Sequence, residues 1–122
     1  MARCDQGYLC DVCGDEVEEL IESDLYLSFI IGGVEPRELS SRPERHIRCN
    51  PVQAQFIMDE RFEPVVVEGP FDKRRLDPAS VREQEALVTR GWRRLQEVSG
   101  QQIPIIDYPL PEVRARLEQR EK

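Results

Sequence analysis

The sequence predicts a small, helix-rich α+β domain stabilised by a bound metal, on three observations: two short loops that each offer a pair of metal ligands, one long apolar stripe at helical spacing, and two short β-prone runs punctuated by proline and glycine. At 122 residues the chain suits a single domain spanning 1–122, with little core to spare. The ligand loops assign residues 8–58 to a metal-binding half and leave a strand–helix–strand–helix half over 59–122.

In chain order, the first element is a C-D-V-C-G knuckle that carries Cys10 and Cys13, with Gly14 freeing the backbone to turn beneath them. An acidic connector follows. The run S-D-L-Y-L-S-F-I-I-G-G, residues 23–33, is apolar almost throughout, which suits a buried strand or a short buried helix. Ser23 as an N-cap, with Gly32 or Gly33 just past the far end, favours the helix. Residues 34–43 read as a connection with one helical turn begun by Pro36. It leads into H-I-R-C, where His46 and Cys49 repeat the spacing of the first pair.

Asn50-Pro51-Val52-Gln53 is a helix-start signal in which Asn caps, Pro takes the first turn and Gln reaches back in a capping box, so a helix is expected from Pro51 to Met58. Residues 63–68, with Val65, Val66 and Val67, read as the first short strand. Asp77 and Pro78 open the longest helix, which runs to Ser99 and is closed by Gly100. Its stripe of Val81, Val88, Trp92 and Leu95, with Leu87 and Val98 beside it, is a core face, and Trp92 is expected to pack against the two short strands. Residues 103–108 form the second strand, at an edge because of Pro104, and Pro111 starts a final charged helix.

Cys10, Cys13, His46 and Cys49 together are the signature of a four-ligand zinc site, because Zn2+ takes a tetrahedron of thiolate and imidazole donors and two chelating loops supply it. The set is complete without Cys4. Three thiolates and one imidazole close the coordination shell, which predicts a structural metal and no catalytic residue. A thioredoxin-like redox pair also fits C-x-x-C, but Asp5, Asp11, Asp15 and Glu16 oppose the lowered thiol pKa that it needs. A disulfide framework does not suit a reducing compartment. An iron–sulfur centre on Cys4, Cys10, Cys13 and Cys49 would use a first loop one residue longer than the plant-type spacing and would make His46 incidental. The chain carries no phosphate loop, dinucleotide fingerprint or nucleophile elbow, so it is not expected to be an enzyme.

The net charge is −7, and it is unevenly placed. Residues 1–35 hold nine acids against Arg3 alone, whereas residues 36–50 carry Arg37, Arg42, Arg45 and Arg48 against Glu38 and Glu44. An acidic molecule is repelled by polyphosphate at long range, so nucleic-acid binding is disfavoured unless those arginines, with Lys73, Arg74 and Arg75, form a segregated face. Otherwise they are solvated surface. The opening Met-Ala-Arg-Cys-Asp lacks an apolar leader and no stretch approaches the ~20 apolar residues of a membrane span, which predicts a cytoplasmic protein without a membrane partner.

Across residues 8–58, C-D-V-C-G and H-I-R-C-N-P-V-Q-A-Q-F-I resemble the treble-clef and zinc-ribbon class of zinc modules. In a treble clef one knuckle supplies two ligands and the start of a helix supplies two more; here the second pair stops as the Asn50 and Pro51 helix begins. The chain departs from that pattern in placing His46 and Cys49 just before the helix, and in showing no clear β-hairpin signal between the knuckles. The resemblance implies a zinc-stabilised fold used for protein, DNA or RNA contacts, and it singles out no particular family. The expected function is therefore a noncatalytic interaction or regulatory module with a protein partner. A nucleic-acid binder using Arg37, Arg42, Arg45 and Arg48 is the first alternative, and an iron–sulfur redox protein the second.

Overall fold

The computed structural model describes residues 8–17 and 19–121, and Cys4 lies outside them. The chain opens with a hairpin whose strands β1 (Tyr8–Leu9) and β2 (Glu16–Val17) pair antiparallel, Tyr8 opposite Val17 and Leu9 opposite Glu16. The first knuckle is its turn. Cys10 donates its backbone N–H to Asp15 O at 2.8 Å and Gly14 donates to Cys10 O at 2.9 Å, with Gly14 at φ 80°, where a side chain would be strained.

A 3-10 turn (Leu20–Glu22) leads to α1 (Asp24–Ile30), so the apolar run is a helix. Ser23 Oγ caps it by accepting from Tyr26 N at 3.1 Å, and Gly32 at φ 91° turns the chain away after it. Its unbroken apolarity has a plain cause: Leu25, Tyr26, Leu27, Phe29 and Ile30 are all buried, so there is almost no solvent face. The turn expected at Pro36 forms as a 3-10 turn (Pro36–Glu38), with Glu35 N donating to Glu38 Oε1 at 2.9 Å. A third 3-10 turn (Ile47–Cys49) runs straight into α2 (Pro51–Ala54).

The long helix α3 (Pro78–Ser99) has the predicted limits, with the Asp77 carboxylate accepting from Ser80 N at 3.0 Å and Gly100 at its end. Val88, Trp92, Leu95 and Val98 are buried in a core shared with α1, while Val81 and Leu87 are partly covered. Gly91 permits the closest approach of the two helices: a Cβ there would collide with Ile31 and stand 3.4 Å from Leu27. Helix α4 (Pro111–Glu121) returns over this pair, with Leu110 N donating to Ile30 O at 3.1 Å and Val113 buried below.

Four expectations are corrected. Residues 63–68 form no strand: among the described residues the only pairing strands are β1 and β2, Pro64 has no N–H to offer a ladder, and Val66 is 72% exposed. Residues 103–108 form a 3-10 turn (Ile105–Asp107), not an edge strand. Pro104 starts the turn, and Arg94 of α3 gathers the carbonyl oxygens of Asp107 and Tyr108 at 2.7 and 3.0 Å. Trp92 therefore meets no sheet; its ring packs edge-on against Phe62 at 5.7 Å. Finally, α2 ends at Ala54 rather than Met58. The structure is thus small and helix-rich, with less β character than predicted.

Apart from a 3-10 turn (Lys73–Arg75), residues 57–77 are irregular yet anchored. Buried Gln55 donates to Phe71 O at 2.9 Å and accepts from Lys73 N at 3.0 Å, and Met58 N donates to Thr89 Oγ1 on α3 at 2.8 Å. These bonds satisfy backbone groups of Met58, Phe71 and Lys73 that no regular secondary structure pairs.

Candidate metal centre

The hairpin and the second ligand loop meet through their backbones before any ligand is considered. Asp11 N donates to Glu44 O at 3.0 Å, and the Arg45 guanidinium grips the Asp11 carboxylate through two bonds of 2.9 Å. Asp24 N donates to Arg45 O at 2.8 Å, and Ser23 bridges His46 as an isolated antiparallel pair. The start of α1 thus packs on the second ligand loop and helps to fix its course.

In consequence Cys10, Cys13, His46 and Cys49, the four residues singled out in the sequence, place their ligating atoms within 4.8 Å of one another. His46 Nδ1 lies 3.4 Å from Cys13 Sγ and 3.8 Å from Cys49 Sγ. A tetrahedral ion with metal–sulfur distances of ~2.3 Å and metal–nitrogen distances of ~2.0 Å sets such pairs about 3.5 Å apart. The arrangement fits a metal ion.

The imidazole is oriented for that role. Its Nε2 lies 3.0 Å from Glu16 O, and because a carbonyl only accepts, Nε2 carries the proton and Nδ1 turns its lone pair toward the sulfurs. Buried Cys10 receives N–H groups from Val12 at 3.4 Å and His46 at 3.5 Å. Burial alone would raise its pKa, but these backbone donors and that of Cys13 outweigh it and bring the thiol down to about 6. The opposite holds at Cys49, which burial and the neighbouring Cys10 and Cys13 sulfurs push up to about 12. Burial would also lower His46, yet the Cys10 sulfur, Glu16 O and the Glu22 carboxylate together raise it. Three sulfurs this close resist sharing negative charge, and the imidazole beside them is drawn toward cationic form. A positive ion at the centre of the cluster would relieve that repulsion, and the four residues could hold one.

A second layer of polar groups went unread in the sequence. Ser23 Oγ donates to Glu44 Oε1 at 2.7 Å while capping α1. Asn50 and Gln53, expected to cap α2, instead donate to the Asp24 carboxylate at 3.1 and 2.8 Å, so no capping box forms there. Burial raises the pKa of Asp24 despite those two donors. The signal available was the polarity of Ser23 and Asp24 at the head of an apolar run, since buried polar groups need partners; Glu44, between Pro43 and Arg45, gave none.

Most of the candidate arginines are engaged within the chain. Arg37 pairs with Glu35 at 2.9 Å, Arg42 with Glu38 at 2.7 Å and Arg45 with Asp11, while Arg48 donates to Glu63 O at 2.9 Å and lies over the Phe62 ring at 4.3 Å. Lys73 and Arg74 likewise pair, with Glu85 and Asp72 at 2.7 and 2.6 Å. No helix among the described residues is long and apolar enough to cross a membrane. No protein family, curated protein or solved structure matches the chain, so what can be said of its function rests on this Cys3His cluster and its surroundings.

Proposed function

We propose that the protein is a noncatalytic, zinc-stabilised module, of the treble-clef or zinc-ribbon kind, whose partner is another protein. The observation that carries this reading is the convergence of three sulfurs and one imidazole nitrogen from two distant loops. A donor set of thiolates with one imidazole is characteristic of structural Zn2+, and it leaves no coordination position for substrate. Bound zinc would join the hairpin to the start of α2, and Cys10, Cys13, His46 and Cys49 would hold it. No other histidine exists in the chain to serve as a base.

A protein partner is favoured over nucleic acid because Arg37, Arg42 and Arg45 are each paired with a carboxylate of their own chain and the net charge is −7. An iron–sulfur centre is less well supported, since His46 takes a corner of the cluster that such a centre would give to sulfur.

Elemental analysis of the purified chain tests the metal: one zinc per chain is expected, retained in Cys4→Ala and lost in Cys49→Ala. A coloured, iron-bearing protein would replace this reading with a redox one. Anisotropy with labelled DNA and RNA across a salt series tests the partner class. Tight, salt-sensitive binding abolished by Arg45→Glu with Arg48→Glu, zinc still bound, would overturn it.

A further inference from the structure

The run of three valines that the fold leaves unpaired has the form of a strand without a neighbour. Residues 63–68 carry no regular secondary structure, and exposure alternates along them: Val65 and Val67 are half-buried, Val66 and Glu68 exposed. That two-residue period is the pattern of an extended chain lying with one face on the protein body, where Val65 packs against the core. Both ends of the run are tied down. Arg48 donates to Glu63 O at 2.9 Å, and Gly69 O accepts from Asp72 N at 3.2 Å. Between these anchors the backbone N–H and C=O groups of Val65, Val66, Val67 and Glu68 make no hydrogen bond among the described residues.

A groove of about 410 Å³ is lined by this run from Pro64 to Val67 together with Ile57, Met58 and Phe62. Met58 is 56% exposed there, so apolar surface is open to a ligand. Most charged groups along the groove are matched within the chain: Asp59 by Arg61 and Arg93, Asp72 by Arg74, and Lys73 by Glu85. Such a lining suits an apolar side chain better than a charged one of either sign.

We propose that residues 64–68 accept an extended, apolar segment of a partner protein as an added β-strand, with one of its side chains in the groove. The proposal rests on the protein-contact reading above and gives that contact a mode. Free donors and acceptors at strand spacing are matched by another extended backbone, whereas a helix has already used its own groups internally. Because both ends of the run are anchored, little ordering is left to be done on binding. A second copy of this chain fits less well. Antiparallel self-pairing about Val66 would set Pro64, which has no N–H, opposite Glu68, and each copy brings a net charge of −7. Pro64 and the flanking Glu63 and Glu68 also keep the free edge short, which opposes open-ended pairing between copies.

The test uses the full chain and labelled peptides of about eight residues, alternating valine and threonine around a central leucine, read by fluorescence anisotropy. A strand added at one edge uses every second amide of the peptide. Methylating alternate amide nitrogens is therefore expected to weaken binding at least about tenfold in one register and to be tolerated in the other. The protein should show the same alternation. Val66→Pro and Val67→Pro remove N–H groups from opposite edges of the run, so one should lose about tenfold in affinity and the other bind as the wild type does. Met58→Gln, which makes the groove more polar, should weaken the leucine-centred peptide and leave an alanine-centred one unchanged. The proposal is overturned by failure of the peptide to bind, by an equal effect of the two methylation registers or of the two proline variants, or by dimerisation of the chain that the peptide reverses, which would make a second copy the occupant. Zinc content and circular dichroism of the same samples separate the two levels. Full zinc and a native fold without peptide binding sink the strand addition alone, whereas a zinc-free wild-type chain that still shows the one-register effect sinks the zinc module and keeps the strand addition.

Discussion

Around the ligand loops the side chains that meet are polar and charged, whereas along α3 they are apolar, and the two regions should therefore answer to different perturbations. The hairpin and the loop at 44–49 are joined by the backbone bond from Asp11 to Glu44, the Asp11–Arg45 pair and the Cys3His cluster. Helices α1, α3 and α4 are joined by Leu27, Phe29, Ile30, Leu95 and Val98, all almost fully buried. The first region depends on the protonation and charge of a few atoms; the second depends on area removed from water. Helix α1 belongs to both, since Ser23 at its N-terminus bonds Glu44 of the second loop and its body fills the core. Damage to the ligand region should consequently spread into α1 before it reaches α3.

The largest separation should come from the metal. Structural zinc binding is worth on the order of 10 kcal/mol in small zinc modules, comparable to the whole stability of a domain this size. Chelation under reducing conditions is expected to expose the amides of residues 8–58 to exchange while α3 retains more of its protection. Acid acts in the same direction, because protons compete for the thiolates and for His46, so stability from the metal is present near neutral pH and lost as pH falls. Unchanged exchange after complete metal removal would show that the loops stand without it.

Next in size is Trp92→Ala, which strikes the other region. Trp92 is 6% exposed and packs on Phe62, and truncating a buried aromatic costs about 3 to 5 kcal/mol. The variant should unfold at markedly lower denaturant yet keep one zinc per chain in the absence of denaturant. Loss of zinc together with stability would mean that the two regions form a single cooperative unit. Gly91→Ala is a finer probe of the same packing, because the added methyl collides with Ile31 where α1 crosses α3. Overpacking of this kind costs about 1 to 3 kcal/mol, although alanine is the better helix former. A stabilised variant would show that the helices can move apart freely.

How much of each region was legible in the sequence follows the same division. The four ligands could be read because C-x-x-C and H-x-x-C are local spacings with one dominant chemistry. Helix α3 was equally plain, since Asp77, Pro78 and Gly100 mark its ends and its apolar positions recur at helical period. The Val65–Val67 run misled because β propensity only says that a residue suits a pleated surface, and among the described residues no strand pairs with it. Residues 103–108 misled in a related way, for the carbonyls of Asp107 and Tyr108 that a strand would pair are collected by Arg94, 13 and 14 residues earlier in the chain. Asn50 and Gln53 were assigned to the nearest helix start, whereas their amides serve the distant buried carboxylate of Asp24. Partners far away in sequence are what local pattern cannot supply.

The smallest expected effect belongs to Arg93→Ala, and it marks the limit of the contrast, because it removes a charge from the apolar region's outer face. Arg93 Nε donates to Asp59 Oδ2 at 2.8 Å from a side chain that is half exposed, and Asp59 keeps Arg61 at 3.0 Å as a second partner. The two guanidinium groups, Arg61 first, hold the Asp59 carboxyl well below the usual carboxylate range. A folded-state pKa depressed in this way contributes stability that is fully present above the unfolded value of about 3.9 and is lost only as pH falls below it. Removing Arg93 should let Asp59 rise part of the way back, with Arg61 preventing full recovery, and should barely move the denaturation midpoint at neutral pH. Carbon NMR of the Asp59 carboxyl, followed downward from pH 7 to about pH 4 in both proteins, reads this directly. No sign of protonation in the wild type and its onset in Arg93→Ala is the expected pair. An ordinary carboxylate titration in the wild type would show that these exposed pairs are too loosely held to matter.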